Sequence, residues 1–123
     1  MTSRTARREV GQRGEAVAAA YLRRQGMRVV ARNWRCRHGE LDLVVLDGAE
    51  LVAVEVKTRT GLGFGHPAEA VTWAKRSRLR RLTAELVRTT PHLAGVAAVR
   101  IDVVAVLLRR GAPALVQHVR SAA

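Results

Sequence analysis

The chain has one cysteine, Cys36, so it forms no internal disulfide, and a reducing cytoplasmic home fits best. Aromatic residues make up only 3%, which leaves few stacking partners for splayed bases besides Trp34, Trp73, Tyr21 and Phe64. No apolar run is long enough to cross a bilayer. The N-terminal MTSRTARREV is basic but leads into no apolar signal segment, which argues against secretion. Internal repeats, low-complexity segments and linkers are missing too. Acids are scarce: ten Asp and Glu stand against 22 Lys and Arg, for a formal charge of +12. Lysine is rare as well, confined to Lys57 and Lys75.

What is present is a core-forming chain. At 123 residues, 48% of them hydrophobic, residues 1–123 suit one domain with a sizeable core. The arginine excess attracts polyanions, and the guanidinium fork matches phosphate. A competing reading is an arginine-rich composition spread over a solvated surface. Charge makes nucleic acid the leading partner without separating DNA from RNA.

The pattern from Thr5 to Gln25 is helical, with Val10, Val17, Tyr21 and Leu22 near one side and Gly26 as a C-terminal stop. Residues 28–34 read as a short edge strand. Glu40–Asp47 and Glu50–Thr58 read as strands joined in a hairpin around Asp47-Gly48-Ala49-Glu50. GLGFGHP (61–67) is a glycine-rich loop. A helix should follow from Pro67 or Ala68 to Arg88, with a break near Thr72, and Pro91 stops it. Strands at Val96–Leu108 and Ala114–Arg120 complete the order αβββαββ: an α/β chain with a mixed sheet flanked by helices.

In so basic a chain, GELDLVVLDGAELVAVEVKTR (39–59) is anomalous, for it sets Glu40, Asp42, Glu50 and Glu55 among valines and leucines. Strand side chains alternate between faces, so Glu40 and Asp42 share one, as do Glu55, Lys57 and Arg59. A turn at Gly48-Ala49 puts Asp47 opposite Glu50, Asp42 opposite Glu55 and Glu40 opposite Lys57. Like charges directly opposed are destabilising, and desolvating them is worse. A divalent cation such as magnesium, taking one or two protein carboxylates, would relieve both costs. The rival account pairs Glu40 with Lys57 and leaves Asp42 and Glu55 wet on an open face, while Leu41, Leu43, Val45, Val52, Val54 and Val56 make the core face. Alternation alone does not choose between them. Glu15 lies beside the helical stripe of Ala18 and Leu22, where it can snorkel or aim at the acidic end of the sheet. Lys75 continues the stripe of Leu79, Leu82 and Leu86, with the same two options. Asp102, mid-strand, should pair with an arginine. Cys36-Arg37-His38 offers two zinc ligands without a second pair. His66 could cap a helix or touch substrate.

Asp42 followed by Glu55-Val56-Lys57 resembles the PD-(D/E)XK nuclease pattern. GEAVAAAYL (14–22), GELDLVV (39–45), VEVKTR (54–59), FGHPAEAV (64–71) with Lys75, and RIDVV (100–104) together resemble the YraN-like bacterial family, itself similar to Holliday-junction resolvases. The resemblance runs from about Gly11 to Val106, with Leu41 where the superfamily name has proline. It implies a restriction-endonuclease-like core and magnesium or manganese at Asp42 and Glu55. It also implies catalytic roles for Lys57 and the helix acid Glu15, and a homodimer; Glu40, on the face of Asp42, is a candidate supporting residue. Arg59, Lys75, Arg76 and Arg80 are candidate nucleic-acid contacts. The expected activity is metal-dependent hydrolysis of structured DNA, in preference to RNA. The alternative is a nucleic-acid-binding protein that keeps the fold without catalysis.

Overall fold

Segments in which valine and leucine alternate with charge pair into a sheet, and the two segments with helical periodicity cover its faces. The computed structural model describes residues 4–61 and 72–121. Its order is α1 (Arg4–Arg24), β1 (Arg28–Cys36), β2 (Gly39–Asp47), β3 (Glu50–Thr60), α2 (Trp73–Thr89), a 3-10 turn at Pro91–Leu93, β4 (Ala98–Arg109) and β5 (Ala112–Val119). The expected αβββαββ order holds. Among the described residues the sheet has five strands in the order β1-β2-β3-β4-β5. Only β3 and β4 pair in parallel, and α2 lies in the crossover such a pair requires. One end of the sheet therefore gathers the last residues of β1, β3 and β4 and the first residues of β2 and β5. The β2–β3 hairpin occupies the other end.

Gly26, at φ +89°, stops α1 as expected, its N–H donating to the Arg23 carbonyl. The Thr72 hydroxyl caps α2 by accepting the Lys75 N–H at 3.1 Å. That cap matches the break expected near Thr72. The glycine-rich run with Phe64, His66 and the helix start expected at residue 67 or 68 lies largely outside the described residues.

Helix α1 buries Ala18, Ala19 and Leu22 against Leu43, Val45, Val52, Val54, Val104 and Val106. The opposite face is not open, as one reading of the sequence had it. There α2 sets Leu79, Leu82 and Leu86 on Val44, Leu51, Ala53 and Ile101. Leu41 belongs to this second cluster rather than to the face of Leu43 and Val45. The cause lies in β1, where Asn33 adopts a left-handed φ of 50°. Arg32 pairs with Leu43 and Trp34 with Leu41, so Asn33 stands level with Asp42. The strands rotate there, and Trp34 and Leu41 both turn to the α2 side. Asparagine tolerates this conformation better than most residues.

Two devices fix the layers. A Cβ on Gly14 would come within 1.9 Å of Thr58 Oγ1, so α1 crosses β3 at a distance only glycine permits. On the α1 side of β4, Asp102 is 0% exposed and is satisfied from several directions. Arg100 donates to it through Nε at 2.9 Å, His118 Nε2 lies 2.8 Å away, and the Ser121 N–H donates at 3.0 Å. Arg100 also reaches Asp47 at 3.0 Å and Glu50 at 3.1 Å, while Tyr21 Oη lies 3.2 Å from His118 Nδ1. Burial alone would raise the Asp102 pKa, but the hydrogen bonds from His118 and Arg100 outweigh it and bring it down to about 2. The pairing of Asp102 with an arginine is as expected from sequence.

Two outcomes follow. Gly14→Ala should lower stability by about 1–3 kcal/mol, because Thr58 is backed by packed sheet; chemical denaturation measures it. The lowered pKa of Asp102 contributes stability that is complete above about pH 4 and lost as pH falls towards 2. Asp102→Asn should therefore cost on the order of 3 kcal/mol at pH 7, through the broken buried pair, and should flatten the acid limb of the stability profile.

Candidate active site

The β2–β3 hairpin has the register anticipated from its turn, with Asp47 opposite Glu50 and each pair following up to Leu43 opposite Val54. The ladder then stops. Strand β2 stays with β1 as far as Gly39 opposite Cys36, and β3 stays with β4 as far as Thr60 opposite Leu108. The sheet forks there, and the next residues on the two arms are Asp42 and Glu55. Asp42 replaces the missing ladder bond with its side chain, Oδ2 accepting the Val56 N–H at 3.0 Å.

Burial at the fork raises the Asp42 pKa, and the Glu55 charge adds to it, bringing it to about 7. The Val56 N–H works the other way, while Glu15 and Glu40 add to the rise. Burial also raises the pKa of Glu15, with the nearby Asn33 amide favouring its charged form and Glu40 opposing it. The helix acid thus does aim at the acidic end of the sheet.

Glu55 is well covered, its side chain 12% exposed. Lys75 Nζ donates to its Oε1 at 2.5 Å, and Lys57 Nζ stands 3.7 Å from the same oxygen. Lys75 therefore reaches the site rather than merely snorkelling, and it ties the first turn of α2 to β3. The other end of α2 meets β1, where Cys36 Sγ lies 3.5 Å from Glu85 Oε2.

Other sequence candidates fall elsewhere. Glu40 does not face Lys57, because the β2–β3 ladder ends before it; it pairs with Arg35 of β1 at 3.1 Å. Arg59 continues the Glu55–Lys57 face to an exposed strand end. Arg76 and Arg80 flank a depression with Glu50 and Arg100, and Arg80 donates to the Val99 carbonyl at 3.4 Å. Arg76 follows Lys75 in the first turn of α2, but its side chain lines this depression and not the Glu55 contact. Cys36 accepts the His38 N–H at 3.4 Å, and among the described residues no metal-binding group forms around the two. Asn33 was not anticipated; an asparagine between arginine and tryptophan in a strand was its only signal.

Among the described residues no group of three or more His, Cys, Asp or Glu side chains is placed to hold a metal. The pair Asp42 and Glu55 nevertheless fits a hard divalent cation. One oxygen of each, Asp42 Oδ1 and Glu55 Oε2, accepts no hydrogen bond among the described residues. Magnesium commonly takes only one or two protein carboxylates, and a cation would relieve the repulsion that raises Asp42.

The sequence profile of the uncharacterised protein family UPF0102 matches residues 14–106. A protein of Beutenbergia cavernae is 56% identical over 111 residues, covering 90% of this chain and 92% of its own. One of Clavibacter michiganensis is 52% identical over 118 residues, covering 96% and 98%. One of Acidothermus cellulolyticus is 48% identical over 126 residues, covering 96% of each. All three are called UPF0102 protein, a name that states no activity.

The raised pKa of Asp42 has a definite sign. The folded state holds this proton more tightly than the unfolded chain, so metal-free stability falls as pH rises from about 4 towards 7. Asp42→Asn keeps an acceptor for Val56 and removes that loss. Its stability relative to the parent should grow across this range in chelator, measured by thermal denaturation, and be level with the parent near pH 4.

Proposed function

We propose that this chain, which belongs to the uncharacterised protein family UPF0102, the YraN family, is a metal-dependent endonuclease acting on branched or flapped DNA. The observation that carries the reading is the fork: two carboxylates converge where the ladder opens, with Lys57 one alternation beyond. A nucleic-acid binder has no use for acids placed against its own phosphate-attracting charge.

Asp42 and Glu55 would hold magnesium or manganese, which supplies a more acidic water and charge to set against the developing phosphorane. The chain's own groups do the rest. The Val56 N–H fixes one Asp42 oxygen and leaves the other directed to the opening. Lys75 orients Glu55 and offsets part of its charge. The Lys57 ammonium, half-exposed beside Glu55, can donate to a phosphate oxygen or align the attacking water. Glu15, whose carboxyl burial pushes up from its ordinary range, can take up a proton more readily than a free glutamate or orient water from above. Arg59 continues towards a neighbouring phosphate. A homodimer would present two such sites to the paired strands of a junction.

One observation favours the second reading, a non-catalytic binding protein. Glu55 is engaged by two lysines, and no third metal-type ligand joins the pair among the described residues. The deciding assay is magnesium- or manganese-dependent nicking of flapped, forked and four-way DNA, with structured RNA alongside. Lys57→Ala should keep the fold and metal affinity yet slow cleavage by about 10²–10³-fold. Glu55→Ala should lose both, and Glu15→Ala should fall between. A parent that cuts nothing puts the binding reading ahead, and a Lys57→Ala protein that cuts like the parent places the chemistry elsewhere.

A further inference from the structure

Gly14 seats α1 across β3, and its two sequence neighbours fall near different features. Glu15 stands with Asn33 and Glu40 on the acidic side. Arg13 enters a groove of about 990 Å³ at the same end of the sheet. Arg109, the last residue of β4, and Arg110, in the β4–β5 turn, line it too, and Leu107, Leu108 and Leu115 supply an apolar lining. Thr60, five residues beyond Glu55 on β3, also lies at this groove.

Three features give the groove a chemistry. Its arginines are uncompensated: among the described residues Arg13, Arg109 and Arg110 form no ion pair, whereas Arg35, Arg88, Arg100 and Arg120 each meet a carboxylate. Arg109 is held in place by donating to the Pro113 carbonyl through Nε at 3.0 Å and Nη2 at 2.6 Å. The lining is apolar and partly open, with Leu115 43% exposed. Its volume sits at the top of the ~300–1,000 Å³ typical of small-molecule clefts, so a chain of linked units fits better than one compact ligand. Leu107 and Leu108 are nearly buried at the floor of the groove, and Leu115 stands exposed at its side. Cations suit a phosphate backbone, and an exposed leucine suits the face of an unstacked base. A duplex, with its bases stacked inside, offers nothing to the leucines.

We infer that this groove binds a single strand of nucleic acid, its phosphates on Arg13, Arg109 and Arg110 and an unstacked base on Leu115. The inference deepens the nuclease reading and rests on it for orientation: the strand is the unpaired arm leading away from a branch held at Asp42 and Glu55.

The test uses the full chain in chelator, where nothing is cut, and labelled oligothymidylate followed by fluorescence anisotropy across a salt series. Each lost phosphate contact should reduce the log–log salt slope by about 0.7. The double variant Arg13→Ala, Arg110→Ala should therefore lose about 1.4 from the slope, or roughly 25-fold in affinity at 0.1 M salt. Leu115→Ser should weaken binding by a similar factor at every salt concentration, with the slope unchanged and duplex binding unaffected. Arg28→Ala, at the hairpin end of β1, controls for net charge and should change little. The inference is overturned if the parent binds no single strand, if the double variant keeps the parental slope, or if Arg28→Ala loses as much. The two readings separate cleanly. Branched-DNA cleavage with unaltered binding by the groove variants removes the groove and leaves the nuclease. Groove-dependent binding by a chain that never cuts removes the nuclease and leaves a single-strand binding protein.

Discussion

The Val56 N–H has no strand partner across from it, and the rest of the site follows from how that donor is satisfied. An ordinary ladder would answer it with a carbonyl of β2, and the sheet would close. Here the Asp42 carboxylate answers it instead, so β2 leaves with β1 and β3 leaves with β4. A buried N–H must find an acceptor somewhere. Using a side chain for the purpose opens a gap between strands while keeping backbone polar groups paired. The gap carries a carboxylate on each lip, and the raised pKa of Asp42 records its burial there first and the repulsion across the gap second.

The two ends of the sheet handle charge in opposite ways. At the hairpin, Arg100 is shared among Asp47, Glu50 and the buried Asp102, and Arg120 also approaches Asp47. Those charges are spent internally and hold β4 to the hairpin. At the forked end, acids and cations stay partly separate: the acids gather around Asp42, while Arg13, Arg59, Arg109 and Arg110 have no carboxylate beside them among the described residues.

Much of this was legible in the sequence where local rules act alone. The Asp47-Gly48-Ala49-Glu50 turn set the hairpin register, and register set which carboxylates meet. Leu79, Leu82 and Leu86 at helical spacing directed Lys75 inward. What escaped depended on tertiary irregularity. Strict alternation put Leu41 with Leu43, but the left-handed Asn33 on the neighbouring strand turns it to the other face. Glu40 was matched with Lys57 by counting past the point where the ladder ends, and it goes to Arg35 instead. Arg76 and Arg80, candidate nucleic-acid contacts on the outer side of α2, line a depression with Glu50 and Arg100. The groove joins residues from positions 13, 60 and 107–115, and no local pattern links such distant segments.

A mixed sheet in the order β1-β2-β3-β4-β5 leaves both outer strands, β1 and β5, with unpaired backbone groups. β1 breaks its regularity with a bulge between Val29 and Ala31 and the left-handed Asn33, and it carries Arg28, Arg32 and Arg35. β5 has Pro113 near its start, where a backbone donor is lost. Neither edge offers a flat, continuous template to another extended chain. The same strand deformation that turns Leu41 inward thus also works against open-ended polymerisation through β1, a safeguard that a chain rich in valine and leucine strands needs.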